Sequence, residues 1–289
     1  MLKPNSTSGT FLIALILCLV CSVVVSSVAV GLRGRQQENK RQKLRRNVLI
    51  AAGLWDADAG NKQIDEKFEQ VETVLVNLPP REEGGIGDGE VEGLLNTTID
   101  VGTYDARKAS TQPVSSVEIP PELDLAGIKR RERVAPVYVV RDEAGNFSKL
   151  VLPVNGKGLW STLYGFIALD ADLVTIRGIT FYDHAETPGL GGEITNPVWQ
   201  QQWDGKIAFD EDGRPWIDVV KGSVVPGNPA ADRQIDGLSG ATITSVGVEN
   251  LVNYWLGPDA FGPFLDAVRT GELDLTSAAA QPNASAEEE

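Results

Sequence analysis

The pattern of apolar and polar residues begins with one long, uniformly apolar run. Residues 11–32 contain no charged side chain and are rich in Leu, Val and Ile. A helix over this run would reach about 33 Å, which is enough to cross the hydrocarbon core of a bilayer. The pattern predicts a transmembrane helix over residues 11–32, preceded by a short tail, residues 1–10. A cleaved signal peptide is the alternative, since Ser27-Val28-Ala29 resembles a cleavage site, but the apolar run is longer than a signal core.

Residues 33–130 follow with a basic juxtamembrane segment, a helical pattern and a variable region. Four apolar residues recur at helical spacing between Lys and Glu side chains: Ile64, Phe68, Val71 and Leu75. This spacing predicts an amphipathic helix over residues 62–78, closed by Pro79 and Pro80. Residues 81–96 are rich in Gly and Glu, which predicts a mobile surface loop.

The rest of the chain alternates short β-branched and aromatic runs with turn sequences. Five runs predict strands joined by hairpins: 136–141, 149–154, 174–183, 206–209 and 215–220. Helical patterns follow at residues 242–256 and 261–269, and an acidic tail over residues 271–289 is predicted to be disordered. The predicted fold is α+β, with one transmembrane helix before a soluble domain, residues 131–270, that has an antiparallel sheet and flanking helices.

Composition narrows the chemistry that this domain can perform. Cys18 and Cys21 are the only cysteines, and both lie in the apolar run, so the soluble part has no thiol for a disulfide or a cluster. His184 is the only histidine, which excludes a haem with two imidazole ligands and a histidine-rich metal centre. It is expected to be structural or to lie at the surface. We expect no metal site, and redox work would require a non-metal cofactor.

Charge is distributed unevenly along the chain. The formal net charge is −14, yet 8 of the 26 Lys and Arg residues and one of the 40 acidic residues lie within residues 1–50. The acidic remainder repels phosphate backbones, so nucleic acid is not an expected partner. By the positive-inside rule, the basic residues after the apolar run would place the domain in the cytoplasm. They could instead hold a helix against anionic lipid headgroups.

The strongest chemical signal lies between a predicted strand and a predicted helix. It runs Asp236-Gly237-Leu238-Ser239-Gly240-Ala241-Thr242-Ile243-Thr244. Small residues let a ligand approach the backbone, and amides at a helix N-terminus bind phosphate. The motif is similar to the acceptor motif of covalently flavinylated proteins, whose last Thr forms a phosphoester with FMN, and Thr242 matches that position. Thr244 is the nearest competing hydroxyl. As an alternative, Ser239 or Thr242 only caps the helix.

Two further segments resemble the same family. The first, Glu186-Thr187-Pro188-Gly189-Leu190-Gly191-Gly192-Glu193, is similar to the family's second flavin-contacting loop, although a solvent turn is the alternative. Residues 152–166 resemble the C subunit of sodium-translocating NADH:quinone oxidoreductases more than the wider FMN-binding group. Within them, Trp160 would stack near the flavin or lie in a core strand. Lys221 would neutralise the phosphodiester or be a solvated surface lysine.

The resemblance covers most of residues 130–270 and the anchor. It implies an FMN-binding domain in which FMN is contacted by Thr242, Ser239, Gly240, Ala241, Ile243, Thr244, Thr187, Gly189, Leu190, Trp160 and Lys221. It also implies an electron relay, without a catalytic residue in this chain, in a translocase that oxidises NADH, reduces ubiquinone and exports sodium.

The same resemblance implies a cellular setting. The partners would be the other subunits of a membrane oxidoreductase complex, membrane lipid and a flavin transferase. The soluble domain would lie in the periplasm at the bacterial inner membrane, against the positive-inside rule. Two alternatives remain: the G subunit of a ferredoxin:NAD electron-transport complex, and a membrane-anchored binding protein without a cofactor.

Overall fold

The chain divides into two compact units. The computed structural model describes residues 7–55, 60, 62–79 and 93–275. The first unit is Met1–Leu44 and the second is Arg45–Glu289. The second unit thus starts well before residue 131, so the start of the FMN-binding part at that residue stays a prediction.

Helix α1 (Thr7–Ala51) is much longer than the helix predicted over residues 11–32. Its part Gly9–Ala51 is long and apolar enough to cross a membrane. The helix begins within the predicted N-terminal tail and continues through the basic segment, because Lys, Arg, Gln and Glu are good helix formers. Residues 1–6 of that tail lie outside the described residues.

A five-stranded antiparallel sheet forms the centre of the second unit. Its strands are β1 (Val71–Asn77), β4 (Val134–Arg141), β5 (Phe147–Lys157), β6 (Thr162–Asp170) and β7 (Ile176–Asp183), in that spatial order. Hairpins join β4 to β7 in sequence, and the short helix α4 (Pro197–Gln201) follows β7. A smaller antiparallel ribbon pairs β2 (Ser116–Glu118) with β3 (Arg130–Glu132), and the short helix α3 (Ala106–Ala109) precedes it.

The prediction of one helix over residues 62–78 is wrong. Helix α2 (Lys62–Phe68) ends after two turns, and β1 follows and pairs with β4. Residues four apart, such as Val71 and Leu75, lie on one face in a strand as well as in a helix, so their spacing did not distinguish the two. The β-branched content of β1 and its pairing with β4 favour the strand.

Two of the five predicted strands do not belong to the sheet. Residues 206–209 form only isolated bridges, Ile207 with Thr175 and Phe209 with Pro215. Within residues 215–220 only β8 (Asp218–Val220) is a strand, and it pairs in parallel with β9 (Gln234–Asp236). Short apolar runs indicate burial but do not reveal the partner, so the expectation of antiparallel hairpins is wrong at this place. The runs 136–141 and 149–154 lie within β4 and β5, and the run 174–183 covers β7 and begins two residues before it.

Helices cover one face of the sheet. The predicted helices near the C-terminus are confirmed as α5 (Thr242–Trp255) and α6 (Gly262–Arg269). They share one apolar core with the sheet, and the Trp255 indole Nε1 donates to the Asn155 carbonyl of β5 at 2.7 Å. This packing fixes the position of α5 relative to β5.

The end of α1 covers the opposite face. Ile179 of β7 lies in the core, so its neighbours Gly178 and Thr180 point the other way. Thr180 Oγ1 donates to the Asn47 carbonyl at 3.2 Å, and a Cβ on Gly178 would lie 2.5 Å from the Ala51 carbonyl oxygen. The sheet is therefore enclosed between residues 47–52 and the C-terminal helices.

Two segments predicted to be irregular are partly ordered. Residues 81–92 of the predicted mobile loop lie outside the described residues, but the Asn77 amide donates to the Leu94 carbonyl at 2.8 Å. At the other end, Leu275 is buried and its carbonyl accepts from Arg141 at 2.8 Å. Residues 271–275 thus belong to the folded unit, and residues 276–289 of the predicted tail lie outside the described residues.

Candidate functional site

Three glycine-containing segments meet beside the N-terminus of α5. They are the β5–β6 turn (residues 158–161), the glycine loop (residues 186–192) and the acceptor loop (residues 236–241). A Cβ on Gly158 would lie 2.6 Å from Oε1 of Glu186, and one on Gly240 would lie 3.0 Å from Cδ2 of Leu190. In α5, a Cβ on Gly247 would lie 2.4 Å from the Lys157 carbonyl oxygen. The absence of side chains at these glycines is what allows the segments to approach.

Helix α5 begins at Thr242 without a side-chain cap. The N-cap position is Ala241, and no side chain of a described residue bonds there as a cap. The preceding Gly240 has φ +70°, a left-handed conformation that favours glycine. The interpretation of Ser239 or Thr242 as a helix cap is therefore wrong. Because the first amides of a helix have no intrahelical acceptor, this end of α5 can bind an anion.

Two threonines in the first turn of α5 have opposite environments. The Thr242 side chain is exposed to solvent. Thr244 is only 1% exposed, and its Oγ1 donates to Oε2 of Glu186 at 2.6 Å. The next hydroxyl, Ser245, is also buried, and its Oγ accepts from the Leu238 amide at 3.0 Å. Thr242 is thus the residue of these three that can react with a group arriving from solvent.

Glu186, which sequence reasoning did not single out, lies in the glycine loop and joins it to the β5–β6 turn and to the first turn of α5. It is 5% exposed. Its Oε1 accepts from the Trp160 amide at 2.9 Å, and its Oε2 accepts from the Leu159 amide at 3.3 Å as well as from Thr244. Burial raises the pKa of Glu186, but the hydrogen bonds from Thr244 and these amides lower it further, so the net pKa lies below the ordinary value. The carboxylate is ionised at neutral pH.

Exposed apolar side chains lie on the segments around the start of α5. Leu190 of the glycine loop is 43% exposed, Ile243 of α5 is 60% exposed, and Trp160 of the β5–β6 turn is 65% exposed. The alternative that Trp160 lies in a core strand is therefore wrong. Thr187 and Gly189 are also exposed, in a turn whose Thr187 carbonyl accepts from the Leu190 amide at 3.1 Å.

Lys221 lies in a segment that packs against the start of the acceptor loop. The Gly237 amide donates to the Gly222 carbonyl at 2.8 Å, and a Cβ on Gly237 would lie 2.2 Å from the Val220 carbonyl oxygen. The Lys221 side chain itself is exposed. The structure thus brings its backbone to the acceptor loop, and the long side chain is free to reach a charge there.

His184 has a structural role, as expected. Its Nδ1 accepts from the Glu186 amide at 3.2 Å, which helps to fix the start of the glycine loop. Among the described residues, no group of three or more His, Cys, Asp or Glu side chains could hold a metal ion.

These features fit a phosphorylated flavin. An uncapped helix N-terminus binds phosphate, the Thr242 hydroxyl is open to solvent, and Gly240 presents backbone without a side chain. The exposed side chains of Leu190 and Trp160 offer apolar surface to a planar ring.

Comparison with known families agrees with this geometry. The family model of the FMN-binding domain matches residues 158–257, which include the β5–β6 turn, the glycine loop, the acceptor loop and α5. The chain therefore contains an FMN-binding domain.

Similar proteins cover nearly the whole chain. The C subunit of the Na(+)-translocating NADH-quinone reductase of Yersinia pestis is 45% identical over 93% of this chain and 96% of its own length. The protein of the same name from Pseudomonas aeruginosa is 43% identical over 94% of this chain and 100% of its own length. The crystal structure of Shewanella oneidensis NqrC is 35% identical with a TM-score of 0.70, and the match covers 81% of this chain and 99% of that one.

Proposed function

Because the chain belongs to the family of Na(+)-translocating NADH-quinone reductase C subunits, we propose that it relays electrons in such a complex through FMN esterified to Thr242. The observation that carries the acceptor assignment is the contrast between the two threonines of the motif. Thr242 is exposed at the uncapped start of α5, whereas Thr244 is buried against Glu186.

The attachment step requires little from this chain beyond a positioned hydroxyl. Thr242 Oγ forms the new bond to the flavin phosphorus, and the hydroxyl proton is released. The donor must already carry a leaving group on that phosphorus, as a flavin dinucleotide does. The bond from the flavin phosphorus to the bridging oxygen of the pyrophosphate breaks, and the nucleoside monophosphate departs with that oxygen. A flavin transferase would supply the donor and the catalysis.

The product is a phosphodiester that keeps one negative charge at the N-terminus of α5. The amides of Ile243 and Thr244 and the helix dipole favour an anion at this end, and Ser239, Gly240 and Ala241 present the adjoining backbone. The exposed Lys221 ammonium would add a positive charge from the neighbouring segment. These groups would hold the phosphate end of the flavin.

The ring end would lie against the exposed side chains of the neighbouring segments. Leu190 and Trp160 offer apolar contacts, while Thr187 and Gly189 offer a hydroxyl and open backbone from the glycine loop. When bound, the flavin would supply the redox chemistry, accepting and passing on electrons. This chain would supply its position and its electrostatic surroundings.

The anchor places this relay at a membrane. Helix α1 is long and apolar enough to span a bilayer, and the similar proteins are by name subunits of a Na(+)-translocating reductase. We assign the membrane as the bacterial inner membrane and the soluble domain to the periplasm, where the family's flavin transferase acts. The basic residues after the span would then contact lipid headgroups. The partners are the other reductase subunits, which would carry the NADH, quinone and sodium sites.

Replacement of the acceptor in the intact complex tests this function. Thr242→Ala should abolish NADH-driven, sodium-dependent quinone reduction, while NADH oxidation by an artificial electron acceptor at the other subunits continues. Thr242→Ser is the matched control, because it keeps a hydroxyl at the same backbone position and should retain at least part of the quinone reduction. Unchanged quinone reduction in Thr242→Ala would refute the relay.

A further inference from the structure

Glu186 is a buried, ionised side chain that the proposed function does not use. It is 5% exposed and lies in the glycine loop, against the β5–β6 turn and the first turn of α5. Burial of a carboxylate costs free energy unless its oxygens accept hydrogen bonds, so the partners of Glu186 indicate what it does at this place.

The carboxylate of Glu186 accepts hydrogen bonds from two other parts of the site. Oε1 accepts from the Trp160 amide at 2.9 Å, in the β5–β6 turn. Oε2 accepts from Thr244 Oγ1 at 2.6 Å, in the first turn of α5. Glu186 itself opens the glycine loop, five residues before Gly191. One carboxylate therefore joins the turn, the loop and the helix.

The glycines around this carboxylate show how closely it is enclosed. A Cβ on Gly158 would lie 2.6 Å from its Oε1, and a Cβ on Gly191 would lie 2.7 Å from its Oε2 and 2.6 Å from Thr244 Oγ1. These distances are too short for a carbon atom. Only glycine therefore fits at these two positions beside the carboxylate, in the β5–β6 turn and in the glycine loop.

We propose that Glu186 is a positioning residue for the flavin ring: it fixes the β5–β6 turn and the glycine loop relative to the first turn of α5, so that Trp160 and Leu190 present one preformed surface. This inference rests on the proposed attachment of FMN to Thr242. Glu186 acts through the Trp160 and Leu159 amides and Thr244, and is not itself expected to contact the flavin. Glu186 also keeps Thr244 Oγ1 in a hydrogen bond, so that this hydroxyl is not available for attachment of the flavin phosphate.

If Glu186 has this role, the attachment of the flavin and the orientation of its ring can be disturbed separately. Attachment requires only the exposed hydroxyl of Thr242, whereas a fixed ring orientation requires the β5–β6 turn and the glycine loop to be fixed relative to α5. Without Glu186 the flavin would stay tethered through its phosphate but lose its ordered contacts. A flavin held in one asymmetric orientation shows circular dichroism in the visible region, and a freely moving one shows little.

The test uses Glu186→Gln in the full-length chain, loaded with flavin in its native host. Gln keeps the side-chain volume, but its NH2 group cannot accept the bonds that one carboxylate oxygen now accepts. We expect the FMN adduct to stay on Thr242, as read by peptide mass spectrometry, and the visible circular dichroism to be lost. Glu193→Gln is the matched control, because Glu193 lies just beyond the glycine loop and its Oε2 accepts from nearby Asn196 at 2.8 Å.

A second readout does not need the flavin. In a Thr242→Ala background, which has no acceptor hydroxyl, adding Glu186→Gln should make the Leu159 and Trp160 amides exchange hydrogen at least about tenfold faster, because hydrogen bonds to a charged group are stronger than neutral ones. Glu193→Gln should leave that exchange unchanged. If wild-type Thr242 carries no FMN, the proposed function fails, and this measurement still decides the role of Glu186 in joining the segments.

Two results would overturn the inference. One is Glu186→Gln with the circular dichroism and amide exchange of the wild type. The other result matters if Glu186→Gln fails to fold. Thr244→Val then takes its place, because it removes a single bond to the carboxylate, and the inference predicts that it loses visible circular dichroism with its Thr242 adduct intact. Retained circular dichroism in Thr244→Val would show that Glu186 serves folding alone.

Discussion

At the scale of single residues, helix geometry separates the two threonines of the acceptor motif. Residues two apart on a helix point in nearly opposite directions, since each residue turns the helix by about 100°. Thr242 therefore faces solvent, and Thr244 faces Glu186 in the interior. Local geometry alone makes one of these chemically similar side chains accessible and the other inaccessible.

Substitutions at Thr242 should change flavin loading and leave the fold intact. Thr242→Ala is expected to abolish the in-gel flavin fluorescence of the denatured chain, with a stability within about 0.5 kcal/mol of the wild type, because the side chain is exposed. Thr242→Ser keeps a hydroxyl at the same backbone position and should be loaded at least in part. Flavin fluorescence that persists in Thr242→Ala would show that the flavin is attached to another residue.

Glu132 makes the stability of the domain depend on pH. Burial raises its pKa from 4.5 to about 7, although its own amide and the charge of Arg131 oppose the shift. An acid with a raised pKa in the folded state contributes most stability below its unfolded pKa, and that contribution is lost as pH rises through the folded value. The melting temperature should therefore fall between about pH 5 and pH 8 through this group.

Glu132→Gln is the variant that isolates this effect. It is neutral at every pH, so thermal unfolding should show a weaker fall in melting temperature with pH and a higher melting temperature than the wild type at pH 8. Glu118→Gln, an exposed position on the paired strand β2, should leave the profile unchanged. A Glu132→Gln profile that follows the wild type would show that Glu132 is not the titrating group.

The acceptor motif could be predicted from the sequence because its residues are consecutive. Glu186 could not, since its partners Thr244 and Trp160 lie 58 and 26 residues away along the chain. The exposure of Trp160 could not be predicted from the sequence either, because a turn and a strand can carry the same aromatic residue. Contacts made by folding determine both.

At the scale of elements, the position of α5 depends on a glycine. A Cβ on Gly247 would lie 2.4 Å from the Lys157 carbonyl oxygen at the end of β5, and backbone cannot give way cheaply. Glycine is a poor helix former, so its presence inside α5 reflects this close approach and not helix stability.

Gly247→Ala should accordingly destabilise the protein. Helix propensity alone predicts a gain of about 1 kcal/mol, but the overpacking against β5 is expected to exceed it, with a net loss of about 1–2 kcal/mol in thermal or denaturant unfolding. Gly34→Ala in α1 provides the same substitution with no atom within 4 Å of the new Cβ. Equal stability of the two variants would contradict the close packing of α5 on β5.

Elements with strong local signals could be predicted, and elements that depend on a partner could not. α5 and α6 carry their own apolar periodicity and were predicted to within one or two residues. β1 shares its apolar spacing with a helix, and only its pairing with β4 shows that it is a strand. β8 likewise becomes a strand only by pairing with β9, in which Gln234, the partner of Asp218, lies 16 residues further along the chain.

At the scale of the whole molecule, two signals disagree about the side of the membrane that holds the domain. The basic residues within 33–46 favour the cytoplasm by the positive-inside rule, whereas the proposed loading of Thr242 by a flavin transferase requires the periplasm. A reporter that is active only in the periplasm, fused after residue 289, should be active. A silent fusion, together with activity of a cytoplasmic reporter at the same position, would support the charge rule and contradict the proposed loading.

The α+β class and the membrane helix could be read from the sequence, because the apolar run and the strand patterns are local. The length of α1 and its packing on the sheet could not. Residues 47–52 bind the sheet through the Asn47 and Ala52 carbonyls, which accept from Thr180 at 3.2 Å and from Lys149 at 2.7 Å. Such contacts arise only once the sheet exists.

The most direct measurement is peptide mass spectrometry of the chain purified from its native host. We predict a mass increase equal to esterified FMN on the peptide that contains Thr242, with fragmentation placing it on that residue and not on Thr244. An unmodified Thr242 peptide, or a flavin on Thr244, would show that the exposed hydroxyl at the uncapped end of α5 is not the acceptor.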